Sequence, residues 1–410
     1  MGKLPLIILA AGKGTRLYPL SETTPKPLMR IFGKSIIEHI IDSCHDELTE
    51  VIIIAGHQIE RIKEHIGDSY RGLPVHIIEQ TEQRGTGDGL ARAREVIADQ
   101  SFYACYGDAI YQPSMFSQLR NYPAGMLVKQ MNDWSSYGVV VTKDDGTLQH
   151  IVEKPTEYVS NLVNLGVFKF PPHFLDTFDQ IEPSSRGEYE LTDMIAAISS
   201  TMPFTVCQTD EDWLHVTYPW DLLTAAEHMA NKLSPLQHGR IEENVHINGT
   251  VVLGADSVIK SGTVIDGICY IGKSCSVGPN SIIRGIVSVG DNTQINGHSE
   301  IKNSLIGDDT KIHSAYIGDS IIGNKVNIAY GTVTANKKHD NSSVRVLVKG
   351  ELLDTHRNKL GAIIGDGVRT GINTSIYPGR TIGSYATTLP GTVITDNIFE
   401  TDVSDTASHE

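Results

Sequence analysis

His246-Ile247-Asn248-Gly249-Thr250-Val251-Val252-Leu253-Gly254-Ala255-Asp256-Ser257-Val258-Ile259 opens the stretch that decides the fold. Its aliphatics return every six residues: Ile247, Leu253, Ile259, Ile265, Ile271, Val277, Ile283, Val289, Ile295 and Ile301 fill ten successive places at that spacing. Four residues after each come Val251, Ser257, Thr263, Cys269, Cys275, Ser281, Val287, Thr293, Ser299 and Leu305, nearly all small. A large aliphatic and a small residue alternating with period six, with Gly or Asn at the corners, is what a hexapeptide parallel β-helix requires. Each hexapeptide is one short face, three faces make a coil, and only small side chains fit beside the stacked aliphatics. Cys269 and Cys275 fall on the small register and read as packing residues.

The spacing shortens at Ile306, Ile312, Ile317, Ile322 and Ile328, breaks over residues 334–360, and resumes at Ile364, Thr370, Ile376, Ile382, Thr388 and Ile394. The break is an inserted polar loop carrying Lys337, Lys338, Arg345, Lys349, Arg357 and Lys359. Loops projecting from a rigid scaffold are where binding chemistry tends to sit. Composition divides the chain at the same place. Residues 1–240 hold all three Trp, eight of nine Phe and 17 of 38 Gly, whereas the shorter stretch 241–396 holds 21 Gly and no aromatic larger than Tyr. At 410 residues, two or three domains are expected.

The net charge of -15 belongs to the first 240 residues and to the tail, since residues 241–396 carry 14 acidic and 14 basic side chains. A general nucleic-acid binder is disfavoured, because it needs a basic field to displace counterions. No apolar run approaches a membrane span, and 5–9 is too short and leads into a glycine turn, so the sequence reads as a soluble cytoplasmic protein. Cysteines at 44, 105, 207, 269 and 275 form no C-x-x-C pair and indicate neither a zinc site nor a disulfide framework.

The first half alternates strand, glycine turn, helix and strand: apolar residues 4–11, Gly12-Lys13-Gly14-Thr15-Arg16, the helical run Ile36–Cys44, and apolar residues 51–55. That is the βαβ grammar of a parallel sheet, whose ligands bind beyond the carboxyl ends of the strands. The turn has neither the P-loop spacing nor the full G-x-G-x-x-G of a dinucleotide fold. Its backbone N–H groups, with Lys13, Arg16 and Lys26 nearby, suit a triphosphate in an otherwise acidic domain.

Leu9-Ala10-Ala11-Gly12-x-Gly14-Thr15-Arg16-Leu17 followed by Pro25-Lys26-Pro27 resembles the signature of the sugar-1-phosphate nucleotidyltransferases. Further matches follow in order over about 220 residues: Gln80 with Gly85-Thr86-Gly87 resembles the base-reading segment, and Tyr106-Gly107-Asp108 the metal-binding aspartate. Tyr137-Gly138, Glu153-Lys154-Pro155 and Asn164-Leu165-Gly166 resemble segments lining the sugar pocket. The resemblance implies an α/β architecture, a Rossmann-like nucleotidyltransferase domain followed by a left-handed parallel β-helix of hexapeptide repeats. It implies in-line attack of a sugar-1-phosphate oxygen on the α-phosphorus of a nucleoside triphosphate, chemistry that is mostly positioning and charge neutralisation. Arg16 and Lys13 then hold the leaving pyrophosphate, Lys26 steadies the attacking phosphate, and Asp108 holds Mg²⁺ or another divalent cation. Leu9, Ala11, Gly12, Gly14, Thr15, Gln80, Gly85 and Thr86 line the nucleotide, and Gly138, Glu153 and Asn164 the sugar.

Two places depart from the family pattern. A second metal ligand is expected in a W-x-D-x-G type segment, where this chain has Trp213-Leu214-His215-Val216-Thr217, with His215 at that place. Imidazole is a poor Mg²⁺ ligand, so the metal rests on Asp108, substrates and water, or recruits Asp212 or Asp221. Asp88-Gly89 also replaces the usual His-Ala after the G-T-G triplet.

His313-Ser314-Ala315-Tyr316-Ile317-Gly318-Asp319, then Asn327-Ile328, Gly331-Thr332 and Asn336, with Lys302 upstream, are similar to the acetyltransferase site of bifunctional N-acetylglucosamine-1-phosphate uridylyltransferases, the archaeal type above all. His313 follows the inward Ile312 and so faces outward, where a neutral imidazole can take the proton from a substrate amine attacking acetyl-CoA. Lys302 and Tyr316 hold the sugar phosphate, Asn327 and Asn336 complete the site, and Lys337 with the other basic loop residues meets the phosphates of coenzyme A. The resemblance implies a homotrimer or dimer of trimers, with acetyl-transfer sites between neighbouring solenoids.

The expected organisation is a nucleotidyltransferase domain over 1–228, a connecting helix end and linker over 229–240, the β-helix over 241–396, and a disordered acidic tail over 397–410. The expected function is a two-site enzyme that acetylates glucosamine-1-phosphate and couples the product to UTP, with acetyl-CoA and UTP as co-substrates. A single-activity glucose-1-phosphate thymidylyl- or uridylyltransferase with a structural solenoid is the alternative. A catalytically weak sugar-nucleotide-binding assembly subunit is a third, resting on His215.

Overall fold

The computed structural model describes residues 2–399. Two compact units divide the chain: one takes residues up to 13, 25–28 and 36–215, the other 14–24, 29–35 and everything from 216 onward. A single boundary at 228 does not separate them, because two short segments of the first half group with the second.

In the first unit, the strands Phe102–Tyr106, Leu4–Ala10, Leu48–Ala55 and Leu73–Glu79 lie side by side in that order and run parallel. Their near-continuous aliphatic runs are what a parallel sheet covered on both faces demands, and Leu6, Ile7, Ile8, Val51, Ile52, Ile53 and Ile54 are buried. The helix Ile36–Cys44 buries Ile36, Ile37, Ile40, Ile41 and Cys44, and Ile59–Ile66 buries Ile59, Ile62 and Ile66, the three- and four-residue spacings of one helical face. Beyond Phe102–Tyr106 the sheet continues through antiparallel Leu162–Phe170, Gly138–Thr142 and Leu148–Glu153. The parallel strands all end at one edge, and the chain runs from there into Ala11-Gly12, Gly56, Gln80 and Gly107-Asp108. Backbone bonds from Gln80 N to Ala55 O (2.7 Å) and from Gly107 N to Leu9 O (2.8 Å) knit that edge.

In the second unit, His246–Leu253 pairs in parallel with Val264–Ile271, and that strand with Ile282–Val289; His246 faces Val264 and Val264 faces Ile282, so one coil takes 18 residues. The architecture is a parallel β-helix. Its aliphatic column is dry: Leu253 and the eight that follow it to Ile301 are at most 1% exposed, whereas Ile247, at the open first coil, is 36% exposed. The small register does more than save space. Ser257 Oγ donates to Gly272 O (2.7 Å) and accepts from Cys275 N (2.9 Å), and Thr293 Oγ1 donates to Gly307 O (2.9 Å) and accepts from Thr310 N (3.2 Å). These inward hydroxyls satisfy corner backbone groups that the core would otherwise strand.

Gly249, Gly267 and Gly285 stack in register. Gly267 has φ +131, and a Cβ there would lie 2.3 Å from Gly285 O. Gly267→Ala therefore combines a forbidden backbone region with a main-chain collision and should cost about 3 kcal/mol. Thermal unfolding checks this; an unchanged Tm contradicts it.

The chain joins the solenoid before residue 241, since Leu236–Gln237 pairs with 252–253 and Arg240–Ile241 with 258–259. The helix Pro219–Ala230 precedes it. Asp221 caps that helix, its Oδ2 accepting from the N–H groups of Thr217 and Tyr218 at 2.7 Å each. The insertion 334–360 carries an antiparallel hairpin, Arg345–Val348 with Glu351–Asp354, after which the coil resumes with Val333 opposite Ser375. Residues 397–399, expected to belong to the tail, are tied to the coil. Asn397 Oδ1 accepts from Thr381 N (2.9 Å), Ile398 N donates to Thr381 O (2.9 Å), and Phe399 lies 5.8 Å from the Tyr18 ring. Residues 400–410 lie outside the described part.

The segments 14–24 and 29–35 are tied into this unit. Thr23 Oγ1 donates to Asp366 Oδ2 (2.8 Å), Arg30 pairs with Asp308 (2.7 Å), Ser384 N donates to Glu22 Oε2 (3.1 Å), and Phe32 N donates to Ser288 Oγ (3.2 Å). Among the described residues no helix is long and apolar enough to cross a membrane.

Candidate functional site

Asp108 stands two residues beyond Phe102–Tyr106, at the carboxyl edge of the sheet. Its Oδ2 accepts from Lys26 Nζ at 2.8 Å and lies 3.2 Å from His215 Nε2; the Lys26 side chain is 13% exposed and that of Asp108 34%. Burial alone raises a carboxyl's pKa, but the charge of Lys26 and then the His215 ring outweigh it and hold Asp108 well below the usual carboxylate range. The pairing of Leu214–His215 with Ala109–Ile110 brings His215 here. Its ring is clamped: Trp213 stacks on it at 5.2 Å and Tyr137 meets it edge-on at 5.9 Å.

Three of the residues expected around a nucleotide and a cation thus meet at one carboxylate. The described residues hold no group of three or more His, Cys, Asp and Glu arranged for a metal ion. A hard cation that draws most of its ligands from phosphates and water needs only one such carboxylate, so the donor set fits Mg²⁺ through Asp108. Asp221, spent on its helix cap, is not a free ligand.

Gln80, 6% exposed, lies just past Leu73–Glu79. Its Nε2 donates to Gly85 O and to Asp88 Oδ2, both at 2.9 Å, and Asp88 also receives Arg92 Nε at 3.2 Å. Two acceptors leave the amide one orientation, with Oε1 as its uncommitted end. Asp88, seen in the sequence only as a departure from pattern, is what fixes it. Thr86 Oγ1 accepts from Leu191 N (3.1 Å) and braces the start of the helix Leu191–Ser199. Ala11 O accepts from Gln83 Nε2 (2.8 Å), with Leu9 at the end of its strand and Gly12 and Lys13 exposed after it. Gly14, Thr15 and Arg16 belong to the second unit, where Gly14 opens the turn Thr15–Leu17 and Arg16 is exposed.

Gly138 and Glu153 face each other across antiparallel strands. Partial burial, then the charge of Glu190, raises the Glu153 carboxyl above its ordinary value against the pull of Arg186 and Lys154. Asn164, 8% exposed, accepts from Gly166 N at 2.9 Å.

On the solenoid, Lys302 Nζ donates to Asp319 Oδ2 (3.1 Å), Asn336 Nδ2 donates to the same oxygen, and Asn336 Nδ2 lies 3.5 Å from Tyr316 Oη. Lys302, Tyr316 and Asn336 therefore form one cluster, which Asp319 completes; the sequence contained Asp319 in its motif without giving it a part. His313 is exposed, as its place after Ile312 requires, and its Nδ1 lies 3.2 Å from the Asn296 side-chain amide. The amide presents its Nδ2 to that nitrogen, which makes Nδ1 the acceptor and leaves the proton on Nε2; turned to present its oxygen instead, the amide would hold the tautomer that a base at Nε2 needs. Asn327 and Lys337 are exposed and lie apart from the cluster's bonds. Arg357 departs from expectation: it pairs with Glu227 and donates to Thr224 Oγ1 (3.0 Å), so it is engaged within the protein rather than offered to a phosphate.

A family model described as nucleotidyl transferase matches residues 6–232. A relative named bifunctional protein GlmU, from Methanococcus maripaludis, is 38% identical over 381 residues, covering 92% of this chain and 91% of the relative. A bifunctional sugar-1-phosphate nucleotidylyltransferase/acetyltransferase from Sulfurisphaera tokodaii is 34% identical over 95% of this chain and 97% of its own. A UTP--glucose-1-phosphate uridylyltransferase, AglF of Haloferax volcanii, is 36% identical over 52% of this chain and 92% of its own length. The sheet edge with its Lys26–Asp108 pair lies inside the matched stretch, the full-length relatives extend across the solenoid cluster as well, and the chain belongs to the nucleotidyl transferase family in the two-part form those relatives share.

Proposed function

We propose that the chain is a bifunctional enzyme that acetylates glucosamine-1-phosphate with acetyl-CoA and then transfers UMP from UTP to N-acetylglucosamine-1-phosphate, releasing pyrophosphate. The observation that carries this over a single-activity reading is the Lys302–Asp319–Asn336–Tyr316 cluster. Three side chains expected at an acetyl-transfer site, Lys302, Tyr316 and Asn336, meet there around one buried carboxylate, and burying a carboxylate costs free energy unless it is paired.

In the nucleotidyl reaction Lys26 steadies the attacking sugar phosphate, and Arg16 and Lys13 receive the pyrophosphate. Asp108 holds a divalent cation, which when bound neutralises phosphate charge. Gln80 accepts from the base through Oε1, and Glu153 and Asn164 hold the sugar. A free amide oxygen suits the N3–H of uracil or thymine and opposes cytosine, whose N3 is an acceptor. Asp88→Asn, which offers Gln80 an amide instead of a fixed acceptor, should therefore narrow the kcat/KM preference for UTP over CTP by about tenfold. An unchanged ratio refutes that role for Asp88.

In acetyl transfer His313 takes the proton of the attacking amine, Lys302, Tyr316 and Asn336 hold the sugar phosphate, and Asn327 and Lys337 serve coenzyme A. Exposed apolar side chains on stacked coils support a trimer: Leu389 is 68%, Tyr330 63% and Val393 56% exposed, with Ile372 beside them. Two assays on purified protein test the reading. These are pyrophosphate release from UTP or dTTP with each sugar 1-phosphate, and thiol release from acetyl-CoA with glucosamine-1-phosphate. Pyrophosphate without thiol release leaves the single-activity alternative, and turnover in neither leaves a binding subunit.

A further inference from the structure

Asp319 is 3% exposed and stands behind the acetyl-transfer cluster rather than at its open side. Its Oδ2 accepts from Lys302 Nζ (3.1 Å) and from Asn336 Nδ2, and its Oδ1 from Asn303 Nδ2 (3.2 Å). The donors come from the coils on either side, since Lys302 lies opposite Gly318 and the strand leading to Asn336 pairs with Tyr316. Its backbone is tied as well: Asp319 N donates to Lys302 O, and Gly361 N, where the insertion returns, donates to Asp319 O, both at 2.8 Å.

We propose that Asp319 is a positioning residue for acetyl transfer, a buried anion that fixes the Lys302 ammonium and the orientation of the Asn336 amide against an amino-sugar phosphate. This rests on the reading that the solenoid transfers acetyl groups. With Nδ2 of Asn336 committed to Asp319, the amide faces a ligand with Oδ1, an acceptor suited to an amine N–H. Lys302 keeps two N–H groups for a phosphate after donating one to Asp319. Gly318 makes room for this arrangement: a Cβ there would come within 2.7 Å of Tyr316 Oη and 2.9 Å of Asn336 Nδ2.

The test measures steady-state thiol release and UMP transfer on the full-length protein, its Asp319→Asn and Lys302→Gln variants, and the double variant. Asp319→Asn should raise KM for glucosamine-1-phosphate about tenfold while KM for acetyl-CoA and UMP transfer stay within about twofold. Because Asp319 acts through Lys302 and Asn336, the double variant should lose less than the product of the two single effects. An unchanged KM for glucosamine-1-phosphate, or effects that multiply in the double variant, overturns the proposal. Should Asp319→Asn fail to fold, Asn303→Ala, which removes the Oδ1 partner, should raise the same KM about threefold, and no rise overturns it. A wild-type protein without thiol release defeats the bifunctional reading itself, and the role of Asp319 with it.

Discussion

His313→Ala should lower thiol release from acetyl-CoA by about 10³-fold and leave UMP transfer on the same preparation unchanged. A positioned general base contributes on the order of 10²–10⁴ to a rate. The side chain is exposed and outward, so its loss creates no cavity and should not disturb the aliphatic column beneath, where Ile312 is fully buried. His246→Ala, another exposed histidine on the same scaffold, is the control and should leave both activities intact. If His313→Ala retained wild-type thiol release, the acetyl-transfer assignment would fall.

Asp108→Asn should reduce UMP transfer by about 10²–10³-fold and raise the Mg²⁺ concentration needed for half-maximal rate, with thiol release unaffected. Lys26 and His215 hold the carboxyl well below the usual carboxylate range against its burial. Asparagine keeps the shape and an oxygen but gives up the charge that balances a largely buried ammonium. Part of the loss should therefore be recovered when Lys26 is replaced in the same chain only if Lys26 serves Asp108 rather than the substrate; on the proposed role, in which Lys26 also steadies the substrate phosphate, Lys26→Met should be as damaging alone. A metal requirement unmoved by Asp108→Asn would contradict the cation assignment.

The solenoid was legible in the sequence because its rule is one-dimensional: a period of six, read at 247, 253, 259 and onward, fixes which side chains are inside without any knowledge of distant contacts. The parallel sheet was legible for a related reason, since strands buried on both faces are continuous aliphatic runs. Asp88 and Asp319 were not assigned parts, although both were in view. Their effect is to hold another side chain, Gln80 in one case and Lys302 with Asn336 in the other, and which side chain a carboxylate meets depends on helix phase or coil register to within an ångström. Arg357 failed as a phosphate ligand for the same reason, because its partner Glu227 is 130 residues away in the chain. The short coils at either end of the solenoid, 236–241 and 397–399, lay outside the repeat because they contribute bridges but no full hexapeptide.

The segments 14–24 and 29–35 change what can be exchanged between relatives. The segment that bears Gly14, Thr15 and Arg16 has its fixed points, through Glu22 and Thr23, at Ser384 and Asp366, and the neighbouring residues Arg30 and Phe32 have theirs at Asp308 and Ser288, all hundreds of positions downstream. A chimera joined at residue 228 would carry the native segments 14–24 and 29–35 onto foreign coil corners. Recombination between homologues should therefore succeed when those corner residues travel with the segments, and drift in one should be answered by drift in the other.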